Sequence, residues 1–196
     1  MNDDVTISRA SLAAEASIAL ITALDAELAD LYPEPGATHF RLHPDEVAAG
    51  NGAFLVAYRG NEPVGCGAVR LLEPGAAVSI VLSTASALRS PGRAGLDATV
   101  TRISRPRPTA EIKRMYVAPS ARGGGLGRRL LDALEAEAHA LGAHQLVLET
   151  GTRQTAAIAL YRASGFEPIP LYGEYRKSPD TSLCMAKPLE QHADQE

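Results

Sequence analysis

The chain has 196 residues, a formal net charge of −4, and 45% hydrophobic against 21% charged residues. This balance is typical of one globular domain, and the acidic total disfavours a general nucleic-acid-binding surface. Two cysteines, Cys66 and Cys184, are too few for a disulfide scaffold or a cysteine-built zinc site. No apolar run approaches the ~18–20 residues that a membrane span needs, and residues 1–4 are unlike a signal peptide. We therefore expect a cytoplasmic protein with no nucleic-acid or membrane partner.

The first elements in chain order are a short strand, a long helix and a hairpin. Residues 5–7 favour a strand, and apolar residues then recur at helical spacing over 12–31, before a stretch rich in proline. Residues 54–58 and 64–72 have strand composition and are joined by a turn at 59–63. The pattern predicts an antiparallel hairpin.

Residues 73–109 have little regular pattern. Five arginines and one aspartate lie between residues 89 and 107, which gives a local charge of +4. We interpret the segment as a long surface insertion, and the alternative is a loop that grips an acidic partner. Residues 190–196 are polar and are expected to form a tail, so that a single domain spans 1–189.

The C-terminal half alternates strands and helices. Strands are predicted at 111–117, 145–149 and 183–186, and helices at 126–141 and 155–164, each helix being followed by a glycine. Placed after an antiparallel hairpin, this order predicts a mixed α/β domain.

The turn at residues 122–129, Arg-Gly-Gly-Gly-Leu-Gly-Arg-Arg, connects a strand to an amphipathic helix. Glycines permit close approach and positive φ, and the first helical turn presents unpaired N–H groups at the positive end of the dipole, so the turn suits a phosphate. It lacks the Gly-Lys-Ser/Thr of a Walker loop and the glycine spacing of a dinucleotide fingerprint. The spacing present is Arg-x-x-Gly-x-Gly, and a connector without ligand is the alternative.

Three segments together resemble the GNAT superfamily of acyl-CoA-dependent N-acetyltransferases: 110–117, 122–127, and 157–166 with the sequence Ala-Ile-Ala-Leu-Tyr-Arg-Ala-Ser-Gly-Phe. The resemblance is strong over 111–189. It implies the GNAT fold, a central mixed, mostly antiparallel sheet flanked by helices, with splayed fourth and fifth strands. It also implies transfer of acetyl from acetyl-CoA to a primary amine by direct attack in a ternary complex, without a metal.

The resemblance implies a cofactor site made of the fourth strand, the glycine turn and the start of the last helix. The strand backbone would pair with the pantetheine arm, and the N–H groups of the turn would hold the pyrophosphate. The implied residues are Met115, Tyr116, Val117, Arg122, Gly123, Gly124, Gly125, Leu126, Gly127, Arg128 and Gln154.

Acetylation of an amine requires a base, because a free alkyl amine has a pKa near ~10.4 and is protonated at neutral pH. An acid should assist the departing thiolate. The resemblance implies Glu111 as the base, Tyr161 as the acid and a backbone N–H near Val117 for the oxyanion. The alternatives are an ion pair of Glu111 with Lys113 or Arg114, and a packing role for Tyr161.

The acceptor is the part of the function that the sequence constrains least. The family builds its acceptor pocket from the first helix, the segment after it and the late loops, which implies Tyr32, Arg41, His43, Tyr172 and Tyr175. Arg41 would bind a carboxylate and favour an amino-acid-like amine, and a surface salt bridge is the alternative. The alternative functions are a protein or peptide acetyltransferase and a non-catalytic acyl-CoA-binding module; a homodimer is a further option.

Overall fold

A computed structural model describes residues 5–34, 41–73 and 108–190. Within these ranges the chain forms a seven-stranded sheet with α-helices packed on both faces. The elements in chain order are β1 (Val5–Arg9), α1 (Glu15–Leu31), β2 (Gly52–Arg59), β3 (Glu62–Leu71), β4 (Thr109–Val117), α2 (Leu126–Ala140), β5 (Gln145–Gly151), α3 (Thr155–Ala163), β6 (Glu167–Ile169) and β7 (Ser182–Pro188). Short 3₁₀ turns lie at Pro44–Val47, Pro119–Ala121 and Gly173–Lys177.

The sheet has the strand order β1-β2-β3-β4-β5-β7-β6. Its neighbouring strands are antiparallel except β4 and β5, which run parallel and pair over 109–112 and 145–148. Both strands continue beyond this pairing, so they separate and leave a cleft within the sheet. The prediction of a mixed, mostly antiparallel sheet with splayed fourth and fifth strands is confirmed.

A β-bulge marks the point where β4 leaves β5. Cys66 of β3 faces Tyr116, and Ala68 faces Lys113, so β4 carries one residue more than β3 over this stretch. Arg114, inside the bulge, has a φ of 55°. Bulges bend their strand, and this bend opens the cleft.

Two apolar cores cover the two faces of the sheet. On one face, Leu131 and Leu134 of α2 pack with residues of β4, β5 and β7. On the other, Leu20 and Leu24 of α1 pack on β2 and β3. Because alternate strand residues point to opposite faces, the two cores fix which β4 and β5 side chains share the α1 face of the cleft.

Three features differ from the sequence-based predictions or lie beyond them. The helix α1 begins at Glu15 with Ala14 as its N-cap, three residues after the start that the helical spacing predicts. The edge strand β6 was not predicted, because it is three residues long and contains Pro168. The insertion at 73–109 and the tail at 190–196 lie mostly outside the described residues; at the base of the insertion, Leu72 N–H donates to Thr109 O at 2.9 Å. No helix in the described ranges is long and apolar enough to cross a bilayer.

Candidate active site

A cavity with a volume of about 100 Å³ opens where β4 and β5 separate. Side chains from both faces of the sheet meet in it. The residues lining it are Leu24, Leu28, Tyr32, Ile112, Lys113, Arg114, Met115, Glu149, Thr150, Gly151, Gln154, Tyr161, Tyr175, Thr181 and Ser182. The cavity therefore joins the predicted cofactor strand to the predicted acceptor tyrosines.

The β4 edge that faces the cavity has lost its pairing with β5 beyond Ile112. Met115 lines the cavity with its side chain, whereas Tyr116 is buried against α1, where its ring lies 5.7 Å from the Arg122 guanidinium. Tyr116 would thus contribute through its backbone. A strand edge of this kind can bind an extended, polar chain through main-chain hydrogen bonds.

The glycine turn places the N-terminus of α2 beside this edge. Gly123 and Gly125 have φ values of 82° and 79°, which side chains rarely adopt, and no atom lies within 4 Å of a Cβ built on either. Gly127 is needed for a different reason, because its Cβ would lie 3.2 Å from Cδ2 of Leu160. The turn combines open space with the unpaired N–H groups of a helix start, as a phosphate site requires.

Arginines of the turn already contact the protein. Arg122 Nε donates to Val117 O at 2.9 Å, and its Nη2 lies 2.6 Å from a carboxylate oxygen of Glu27, so it connects the end of β4 to α1. Arg128 pairs with Asp132 at 2.7 Å. These pairs are about half exposed and therefore weak, so they leave both arginines available to a phosphate.

Tyr161 lies on the α3 side of the cavity. Its phenol donates to the Sδ of Met115 at 3.8 Å, and its ring packs edge-on against Phe166 with 5.8 Å between ring centroids. Burial raises the pKa of the phenol, so it remains protonated at neutral pH. Gln154, the N-cap residue of α3, lines the same cavity.

The structure does not place Glu111 in the cavity lining, contrary to our expectation. Its buried carboxylate accepts hydrogen bonds at 2.8 Å from both Tyr172 and Tyr175 on Oε1. Its Oε2 accepts from Arg70 Nε at 2.8 Å and Nη2 at 2.6 Å. The expected ion pair with Lys113 or Arg114 is replaced by one with Arg70. Glu111 thereby fixes the tyrosines that cover this face of the sheet.

Glu149, which the sequence analysis missed, supplies the carboxyl group that lines the cavity. Burial raises its pKa to about 7. Ser182 opposes the rise by hydrogen bonding, Glu111 adds to it, and Lys113 opposes it through its positive charge. The available signal was a charged residue directly after the apolar run at 146–148 of β5.

The five predicted acceptor residues separate into three groups. Tyr32 and Tyr175 line the cavity. Arg41 and His43 are exposed and are not among the lining residues, and His43 instead donates its N–H to Glu46 at the 3₁₀ turn. Tyr172 lies behind the lining, on Glu111. The structure thus does not support Arg41 as a carboxylate-binding residue of this cavity.

Arg153, also missed, contacts Tyr32 of the cavity lining. Its N–H donates to the Tyr32 hydroxyl at 2.7 Å, and its guanidinium lies 5.0 Å from the Tyr32 ring centroid. It also donates to Leu31 O at 2.8 Å and pairs with Glu34. Residue 151 must be a glycine, because a Cβ at this position would overlap the Tyr32 ring. These contacts connect the end of α1 to the loop between β5 and α3.

The model of the acetyltransferase (GNAT) family matches residues 20–166. The chain belongs to the GNAT family of acetyltransferases. A relative named IAA acetyltransferase, from Azospirillum brasilense, is 39% identical over 186 residues, which is 95% of this chain and 99% of that protein. The protein is therefore an acyl-CoA-dependent N-acetyltransferase, and it acts on acetyl-CoA, as the resemblance of its three motifs implied.

Solved structures agree with this family. A protein from Klebsiella pneumoniae, named as an inferred acyl-CoA N-acyltransferase, is 32% identical with a TM-score of 0.67, over 96% of this chain and 100% of that one. A GNAT family acetyltransferase from Elizabethkingia anophelis, solved with acetyl-CoA bound, has the same fold at 17% identity and a TM-score of 0.57, over 96% and 100% of the chains.

Proposed function

We propose that this acetyltransferase transfers the acetyl group of acetyl-CoA to the primary amine of a small acceptor bound in the cavity between β4 and β5. The observation that carries the proposal is that a phenol and a carboxyl group line one cavity. Tyr161 enters from the α3 side of the sheet and Glu149 lies on the opposite side. The two groups suit the acid and the base that amine acetylation needs.

The cofactor would lie along the free edge of β4 and end at the glycine turn. The backbone of Met115, Tyr116 and Val117 would pair with the pantetheine arm, in the place that β5 vacates. The N–H groups of 123–127 would hold the pyrophosphate, with Arg122 and Arg128 as supporting charges. The positive φ values and the open space above the turn support this assignment.

For the base, the geometry favours Glu149 over Glu111. Both oxygens of Glu111 accept hydrogen bonds from protein side chains, whereas Glu149 lines the cavity and has a pKa of about 7. A base with a pKa near the working pH is the most effective, because it is substantially ionised and still accepts a proton readily. Glu149 would take the proton of the acceptor ammonium directly or through a water.

The amine nitrogen would then attack the thioester carbonyl carbon, forming a C–N bond and a tetrahedral oxyanion. A backbone N–H near Val117 would stabilise that oxyanion. Collapse of the intermediate breaks the C–S bond, and the protonated phenol of Tyr161 would donate to the departing sulfur. Cys66 and Cys184 are buried, and burial raises the pKa of both thiols to about 12, which disfavours an acetyl-cysteine route.

A panel of amines, amino acids and short peptides, monitored for release of the CoA thiol, tests the proposal. We expect release with a subset of the small amines and intersecting lines in initial-rate plots, because both substrates must be bound together. Release with peptides alone would favour a peptide acetyltransferase. Stabilisation by acetyl-CoA in a thermal melt without release on any acceptor would instead favour a binding module.

A further inference from the structure

We infer that the acceptor carries a carboxylate close to its amine, and that Lys113 forms the subsite that binds this carboxylate. The inference rests on the proposed function, because it assigns the acceptor of that same cavity. It replaces Arg41, which lies outside the cavity lining, as the residue that would recognise an acid.

Lys113 presents a buried positive charge to the cavity. Its side chain is 5% exposed, and its Nζ lies 3.3 Å from an oxygen of Glu174, whose side chain is 44% exposed. The Nζ also lies 5.8 Å from the centroid of the Tyr175 ring. An ammonium has three N–H donors, so the long contact with Glu174 leaves donors for a ligand. Burial without a closer anion is unfavourable, and a bound carboxylate would relieve it.

Two buried hydroxyl groups border the same space. Thr150 is 3% exposed and lines the cavity, and its Oγ1 has no hydrogen-bond partner in the part of the chain that the structure describes. Ser182, 6% exposed, stands beside the Glu149 carboxyl. A buried hydroxyl that lacks a partner is destabilising, so a ligand that satisfies it gains affinity. Thr150 lies on the opposite face of the sheet from Lys113, so its hydroxyl would bind a polar group of the ligand other than the carboxylate.

The positions of the charges define the acceptor. Lys113 on β4 and Glu149 on β5 directly follow the last pair of the ladder, Ile112 and Leu148, so they lie on one face of neighbouring strands and both line the cavity. An amine at Glu149 and a carboxylate at Lys113 would therefore be a few bonds apart, as in an amino acid. A neutral amine would leave Lys113 unmatched, and a diamine would be repelled by it. Leu24 and Leu28 of α1 provide an apolar surface for a side chain.

Matched acceptors test the inference separately from the proposed function. Each amino acid of the panel is compared with its decarboxylated amine and with its amide, at saturating acetyl-CoA. We expect kcat/KM to be about tenfold to a hundredfold higher for the carboxylate, the range for a hydrogen bond to a charged group. Equal kcat/KM within each set would overturn the inference and leave the proposed function intact. Absence of thiol release with every acceptor would overturn the proposed function itself.

Variants of Lys113 identify the subsite. Lys113→Met should raise KM for the amino acid by about tenfold or more relative to KM for the decarboxylated amine, with KM for acetyl-CoA unchanged. Lys113→Arg should restore part of the affinity. The matched control is Lys187→Met, since Lys187 pairs with Glu135 at 2.6 Å and is not in the cavity lining.

Lys113→Gln, which keeps a long polar side chain without the charge, provides a second test if Lys113→Met does not fold. We expect a smaller rise of KM for the amino acid, again relative to KM for the decarboxylated amine. An equal loss of activity on both acceptors in either variant would indicate a structural role and would overturn the assignment of Lys113.

Discussion

Glu111 and Glu149 lie on the same face of neighbouring strands, yet their carboxyl groups have opposite environments. The strand register explains the difference. Glu111 stands opposite Arg70 of β3, which neutralises it, whereas Glu149 stands opposite Cys184 of β7, which cannot. Glu111 is therefore held in a buried ion pair, and Glu149 lines the cavity with a raised pKa. Glu149 lies two residues beyond Val147, the β5 residue that pairs with Glu111. This offset gives one glutamate a structural role and makes the other suitable for proton transfer.

Glu149→Gln should lower kcat by about a hundredfold or more, because the amide cannot accept the proton of the ammonium. In the wild type, kcat should rise with pH and level off above a pKa of about 7, where Glu149 is ionised. The variant should lose this inflection. Steady-state pH profiles measure both effects, with Glu62→Gln, at an exposed position of β3, as the control. An unchanged profile would remove Glu149 as the base.

Glu149 should also make stability depend on pH, independently of catalysis. Its folded pKa of about 7 lies above the ordinary 4.5, so the folded state favours the protonated form. Its stabilising contribution is full below about pH 4.5 and is lost as the pH rises through 7. Glu149→Gln should therefore increase the free energy of unfolding relative to wild type at pH 8, by at most about 3 kcal/mol, and should raise Tm accordingly. Near pH 4.5 both quantities should be unchanged. A gain of equal size at both pH values would contradict this account.

Tyr161→Phe should lower kcat by about a hundredfold while the affinity for CoA is retained, because it removes the proton donor and keeps the ring. The packing against Phe166 is preserved, so we expect the melting temperature to change little. Calorimetric titration with CoA and thiol-release assays separate the two properties. Tyr58→Phe, on β2 and outside the cavity lining, is the matched control. Wild-type turnover in Tyr161→Phe would exclude the phenol from the mechanism.

Gly125→Asp should abolish binding of CoA, because it places a carboxylate at the N-terminus of α2 and a side chain at a φ of 79°. Gly142→Asp is a close control at the other end of the same helix, since Gly142 has a φ of 75° and also has no atom within 4 Å of a built Cβ. The two variants carry the same backbone strain and the same added charge. Equal affinity for CoA in both would refute the pyrophosphate assignment.

The order of the elements could be predicted from the sequence because it depends on local patterns. Helical spacing located α1 and α2 within a few residues, and strand composition with the turn at 59–63 located the hairpin of β2 and β3. The glycine turn was recognisable for the same reason, since a positive φ at Gly125 is a local requirement.

The chemistry of the cavity could not be predicted in this way, because it depends on pairs of residues that are distant in sequence. Arg70 precedes Glu111 by 41 residues, and Tyr32 precedes Arg153 by 121. Nothing near Glu111 indicates that strand β3 will neutralise it. Nothing near Glu149 indicates that its strand partner will have turned away. The family resemblance predicted the cleft, but the strand register determines which carboxyl group lines it.

The parallel pairing of β4 with β5 extends over only four residues on each strand, 109–112 and 145–148. Each further rung of this ladder would add a main-chain hydrogen bond and strengthen the middle of the sheet. It would also close the space in which the donor and acceptor meet. Substitutions that remove the bulge at Arg114 would thus be favoured by selection for stability and opposed by selection for turnover, so selection for activity would keep this pairing short.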